Sequence, residues 1–232
     1  MILAVGCAAP VPEAPPVTLA EAAEDTVFAS VEALGPFTLE SNARRVLSAE
    51  GVQPRISVDA TQLKWKDADH WALSRSRDGR PADDIVVYGA VAWVGAHGER
   101  LVRKGDAEPW RASLAQAWDP WALGLENVRG QIGLTGGVVE EQEGRRVVKH
   151  ALTLLAPGAK ARRTWVASVV EGNAWIDEKT AVRTAAEVHV VARSRDETLD
   201  LTLSFRFTGI GHELFIDPPM VSSAVAPELP SP

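Results

Sequence analysis

The chain has 232 residues, of which 46% are hydrophobic and 24% charged, a balance that supports a folded core and excludes disorder throughout. Its 31 acidic against 24 basic residues, net charge −7, exclude a phosphate-binding surface built from clustered cations, and no polybasic patch addresses a membrane. A single cysteine excludes an internal disulfide, and no run of about 18 apolar residues provides a spanning helix.

The chain begins MILAVGCAAPVPEAPPVTLAEAAEDTV, with its one cysteine between a short apolar run and a proline-rich stretch. Ala4-Val5-Gly6-Cys7 resembles the bacterial lipobox, in which small side chains precede the cysteine that receives diacylglycerol. The resemblance implies lipidation at Cys7. Residues 1–17 are then a truncated lipoprotein signal followed by a tether, with Pro10, Pro12, Pro15 and Pro16 holding an extended spacer. The alternative reading is an accidental cysteine in a disordered leader.

Thr18-Leu19-Ala20-Glu21 has the pattern of a capping box, and Ala22, Ala23, Val27, Val31 and Leu34 recur at helical spacing until Gly35-Pro36. A helix of about four turns is expected there. Strands are expected over 37–47, 55–66, 70–77, 84–96 and 99–104, with Gly95 to Gly98 as a hairpin turn. The segment EPWRASLAQAWDPWALGLENVRGQI interrupts them: Pro109 suits a first helical turn, and Asp119-Pro120 breaks the run and restarts it, giving two short helices.

Strands resume in RVVKHALTLL, RTWVASVVEG, NAWIDEKTAVRTAAEVHVVAR and TLDLTLSFRF. In the last, Leu199, Leu201, Leu203, Phe205 and Phe207 alternate with Thr198, Asp200, Thr202, Ser204 and Arg206. A period of two means one buried and one wet face, hence an antiparallel sheet. The acidic run Glu140-Glu141-Gln142-Glu143 before Arg145-Arg146 reads as a hairpin tip, and the proline-rich residues 219–232 as a disordered tail. The fold class is therefore α+β, a strongly curved antiparallel sheet, or half-open β-barrel, closed by an N-terminal helix and a short mid-chain helical insert. So few helices leave room for a hydrophobic cavity against the sheet.

Three stretches resemble the LolA/LolB lipoprotein carriers and the mycobacterial LprG/LppX lipoproteins. They are VAWVGAHGERLVRKGDAEPWRASLAQAWDPWALGLENV, with Trp118-Asp119-Pro120 at a Tyr-Asp-Pro position; EGNAWIDEKTAVRTAAEVHV; and LDLTLSFRFTGIGHELFIDPP. Together they place one domain of that kind over residues 18–218. The resemblance implies a half-barrel around a lipid-binding cavity, an acyl lipid or lipoprotein as cargo, and a place in the cell envelope. With Ala8 after the cysteine, it implies sorting to an outer membrane facing the periplasm. No lipid-contact residue of the family transfers by motif, and its cavity arginine is not assigned to Arg44, Arg45 or Arg55.

Eight tryptophans stand beside a single tyrosine. For most of them core packing is the plain reading. For Trp110, Trp118 and Trp121, with Leu114, Leu123 and Leu125, a second reading stands beside it: an amphipathic lid over the cavity mouth, with Trp93 on the strand leading into it. These seven are the candidate ligand-binding residues.

Catalysis and metal binding find no purchase. The five histidines are scattered singly without His-Glu-x-x-His spacing, there is no Gly-x-Ser-x-Gly elbow, and Gly133-Leu134-Thr135-Gly136-Gly137 lacks the lysine of a phosphate loop. The short carboxylate runs Asp67/Asp69 and Asp83/Asp84 read as solvated turns. No catalytic residue, metal or cofactor is expected. The expected function is non-catalytic carriage of an acylated molecule; the alternative is an envelope scaffold of the same fold with a filled core and a protein partner.

Overall fold

Alternation of apolar and polar side chains governs most of this chain. In the computed structural model, which describes residues 28–96, 100–155 and 165–219, it yields one sheet. Cys7, the Thr18–Glu21 box, the tether and residues 220–232 lie outside the described residues. A short helix α1 (Phe28–Glu32) precedes strands β1 (Phe37–Ala49), β2 (Arg55–Asp67), β3 (His70–Arg77), β4 (Arg80–Tyr88), β5 (Val91–Gly95) and β6 (Val102–Lys104). Helices α2 (Glu108–Ala117) and α3 (Pro120–Gly124) and a 3-10 turn (Arg129–Gln131) form the insert. Strands β7 (Ile132–Gln142), β8 (Arg145–Leu154), β9 (Val166–Asp177), β10 (Arg183–Arg193) and β11 (Glu197–Thr208) complete the sheet.

The eleven strands run in the order β6-β5-β4-β3-β2-β1-β11-β10-β9-β8-β7. Every pairing is antiparallel. The sheet is large, curved and not closed, with β6 and β7 as its edges. The topology is two meanders joined at the centre, where β1 pairs β11 from Thr38↔Thr208 to Ala49↔Glu197. Leu199, Leu201, Leu203, Phe205 and Phe207 are all buried, as their period of two requires.

Local differences from the expected elements have backbone causes. The expected strand 84–96 is two strands, because Gly89 adopts φ +61° and turns the chain between Tyr88 and Val91. The expected segments RTWVASVVEG, whose residues 163–164 lie outside the described residues, and NAWID meet in the single strand β9 (Val166–Asp177), which passes straight through Gly172. There φ is +126° and a Cβ would lie 1.9 Å from the Glu187 carbonyl oxygen, so only glycine fits. The Gly133–Gly137 stretch, expected as no element, is the start of β7, with a bulge between Thr135 and Val138. The acidic hairpin tip holds: Glu143 and Gly144, both at positive φ, link β7 to β8.

One main core lies on the concave face. Val31 of α1, Leu34 after it and Phe37, Leu39, Leu63, Trp65, Trp71 and Leu73 from β1 to β3 join Leu201, Leu203, Phe205 and Phe207 of β11. Phe37 stacks on Trp65 at 5.4 Å between centroids and tilts against Phe207 at 4.8 Å. A smaller cluster of Val147, Trp175 and Ala185 stands apart, with the Trp175 indole donating to Glu140 at 3.0 Å and covered by Lys149.

Candidate functional site

The insert forms as its residues dictate. The Asp106 carboxylate accepts from the Glu108 amide at the start of α2, and Pro109 occupies the first turn. Asp119 caps α3 by accepting from the Ala122 amide at 3.0 Å, and Pro120 follows it. The expected Asp-Pro corner between two short helices is therefore present.

Polar groups anchor the insert at both ends. Arg111 on α2 donates to the Ala68 carbonyl at 2.7 Å and the Asp69 carboxylate at 2.9 Å in the β2–β3 turn, and pairs with Glu108. The hydrogen bond to Asp69 is the main cause of a raised Arg111 pKa. In the same turn, burial pushes the Asp67 carboxyl up, but hydrogen bonds from the His70 ring and the Asp69 amide outweigh it and hold Asp67 below its ordinary range. Arg75 on β3 donates to the Ser113 carbonyl. At the far end Gln131, 1% exposed, donates to the Trp165 carbonyl and accepts from the Ala167 amide, clamping the 3-10 turn to β9.

Between these anchors the insert sits on the sheet by apolar contact. Leu114, Trp121 and Leu125, at 6%, 4% and 0% exposure, belong to the main core, with Ala117 and Val128 beside them. Trp110 and Trp118 are half-buried against that core, and Leu123 points to solvent at 57% exposure. Arg183 of β10, itself buried, lies with its guanidinium 4.0 Å from the Trp121 ring centroid.

Six of the seven candidate residues are thus gathered in and around the insert. Trp93 is not with them: Ala92 pairs Val87 and Trp93 pairs Val86, so the pleat turns Trp93 to the opposite face from the main core. It is buried there, and its indole nitrogen has no hydrogen-bond partner. The Trp71 indole nitrogen is likewise without one, but on the concave face.

Beside α3 the concave face opens into a groove of about 280 Å³ that sequence reasoning missed. Arg45, Asp59, Arg75 and Arg77 line it from β1, β2 and β3, and Pro120, Leu123 and Gly124 form its opposite wall. Asp59 accepts from both Arg45 and, at 3.0 Å, Arg77. A Cβ at Gly124 would meet the Leu203 side chain at 2.9 Å, so this glycine lets α3 approach the sheet closely. Among the described residues no group of three or more His, Cys, Asp or Glu is placed to hold a metal.

No family model and no curated protein matches the chain. Among solved structures it is similar to a LolA superfamily protein of Nitrosomonas europaea, at 13% identity and TM-score 0.24 over 81% of this chain and 90% of that one. It is also similar to an outer membrane lipoprotein-sorting protein domain of Vibrio parahaemolyticus, at 11% identity and TM-score 0.27 over 80% and 90%. A third similarity is to the MucA/MucB complex of Pseudomonas aeruginosa, at 15% identity and TM-score 0.23 over 82% and 53%. TM-scores this low carry no weight, and the fold stands on the strand order and register given above.

Proposed function

We propose that this chain is a lipid-anchored protein of the bacterial cell envelope that binds and carries an acylated molecule on the concave face of its sheet, without catalysis. The observation that carries this reading is the way the insert covers that face. It buries Leu114, Trp121, Leu125 and Val128 against the sheet while polar anchors tie down its ends. The apolar contact is the part an acyl chain can replace.

The magnitudes support such an exchange. Burying four large apolar side chains contributes about 1.5–3 kcal/mol each. An acyl chain of about a dozen methylenes contributes about 0.8 kcal/mol per methylene. The two are comparable, so cargo and insert can compete for one surface. In this state the insert occupies it and the core beneath is filled.

That filling is also the observation that favours the second reading, an envelope scaffold that never opens and works through a protein partner. Uptake separates the two. The full chain incubated with a fluorescent fatty acid, followed by native mass spectrometry, should show one bound acyl chain per protein. A chain that remains empty overturns carriage and leaves the scaffold.

The anchor is proposed at Cys7, with the outer membrane facing the periplasm as its place and the prolines after it as the tether. Cys7→Ser should move the protein from the membrane fraction to the soluble fraction with its circular dichroism unchanged. Undiminished membrane retention of the variant would sink the anchor.

A further inference from the structure

The concave face changes chemistry from one row of the sheet to the next. One row runs Phe207, Leu39, Leu63, Leu73, Ile85 across five strands, and all five side chains are buried. The row beyond it is Phe205, Ser41, Thr61, Arg75, Asp83, and the next is Leu203, Ala43, Asp59, Arg77, Arg80. The apolar surface under the insert thus gives way, within two rows, to hydroxyls and guanidiniums. This polar part is the floor of the groove beside α3.

Its charges do not cancel. The groove is lined by the guanidiniums of Arg45, Arg75 and Arg77 against the carboxylates of Asp59 and Asp83. Asp59 is shared between Arg45 and Arg77, and Arg75 donates to a carbonyl, a neutral acceptor. Arg80 stands directly opposite Arg77 in the register, a like-charge cross-strand pair that the shared Asp59 carboxylate offsets only in part. Three guanidiniums against two carboxylates give the groove's lining an excess positive charge that attracts anions, in a chain whose net charge is −7. Guanidiniums also present forked N–H donors that match phosphate and carboxylate oxygens.

The opposite wall supplies the other half of the chemistry. Pro120 lines the groove, Leu123 stands 57% exposed at its edge, and Leu203 is shared between groove and core. A ligand lying here meets cations on one side and, on the other, the margin of the surface the insert covers.

We infer that this groove holds the anionic head group, phosphate or carboxylate, of an amphiphile whose acyl chain runs beneath the insert. The inference rests on the carrier reading and adds the chemical class of the cargo. Arg75 and Arg77 take the head group, Arg45 and Asp59 hold Arg77 in place, and the α3 wall directs the chain toward Trp121.

Titration calorimetry on the full chain tests it with three probes: dodecyl phosphate, neutral monolaurin and inorganic phosphate. Dodecyl phosphate should bind at least about tenfold tighter than monolaurin, a difference of about 1.4 kcal/mol, and the gap should shrink as salt is added. Arg77→Gln, at a side chain 75% exposed, should remove most of that preference while leaving monolaurin binding and circular dichroism unchanged. Equal binding of both amphiphiles would overturn the head-group site and leave carriage standing. Inorganic phosphate binding as tightly as dodecyl phosphate would overturn the amphiphile and make the groove a site for the free anion. Binding of none of the three would overturn both the groove and the carrier reading.

Discussion

The two parts of the concave face differ in what their side chains are for. Under the insert, Leu63, Trp71, Leu73 and Phe207 meet Leu114, Trp121 and Leu125 in a packed core, and each contact contributes stability. Beside α3, on the same strands, Arg45, Asp59 and Arg77 line an open groove and contribute little of it. One face of a single sheet thus carries a packed apolar surface and an open polar groove, separated only by rows of its own register.

Substitutions in the two parts should therefore fall at opposite ends of a stability scale. Trp121→Ala removes a buried indole and its contact with Arg183, and should lower unfolding stability by about 3–5 kcal/mol in urea titration. A cost under about 1 kcal/mol would mean that the insert is not part of the cooperative core. Gln131→Ala leaves the Trp165 carbonyl and the Ala167 amide without their partner, and should cost about 1–3 kcal/mol by the same measurement.

Arg77→Gln lies at the other end. It should change stability by less than about 1 kcal/mol, because its ion pair is exposed to solvent. A loss as large as that of Trp121→Ala would erase the distinction between the two parts.

The smallest effect belongs to the turn that anchors α2. Asp67 titrates below its ordinary value in the folded state, so the unfolded chain takes up the proton first as pH falls. Its contribution is present above about pH 3.9, the unfolded value, and is lost as pH drops through the lower folded one. Between about pH 5 and about pH 3 the urea midpoint of the wild type should fall slightly more than that of Asp67→Asn. Identical slopes would remove Asp67 from the anchor.

Much of the sheet was legible in the sequence because antiparallel strands with one wet face write their pleat into the residue order. β11 is the clearest case, its five buried side chains alternating with polar ones. The insert was legible because Asp119-Pro120 cannot continue a helix and can begin one. Where glycine decided the path, the sequence said less: Gly89 splits one apolar run into β4 and β5, and the Gly-rich start of β7 carries too few side chains to show a period.

Trp93 shows how sensitive a site assignment is to register. It lies one residue from Ala92, which faces the core, and a single step along a strand reverses the face. The groove was illegible for a related reason. Arg45, Asp59 and Arg77 stand on three strands, and nothing in their spacing announces that Ala43↔Asp59 and Asp59↔Arg77 place them side by side. The six candidate residues of the insert are close together because they are near one another in sequence; the groove's residues are neighbours only in space.

The central claim is that cargo and insert compete for one apolar surface. Hydrogen exchange of the full chain, followed by mass spectrometry with and without dodecyl phosphate, measures this directly. Exchange in residues 108–131 should be faster when the ligand is bound, with β11 unchanged, because the acyl chain lifts the insert from the sheet. Unchanged or slower exchange in 108–131 with the ligand demonstrably bound would contradict it, and would make the insert a permanent part of the core.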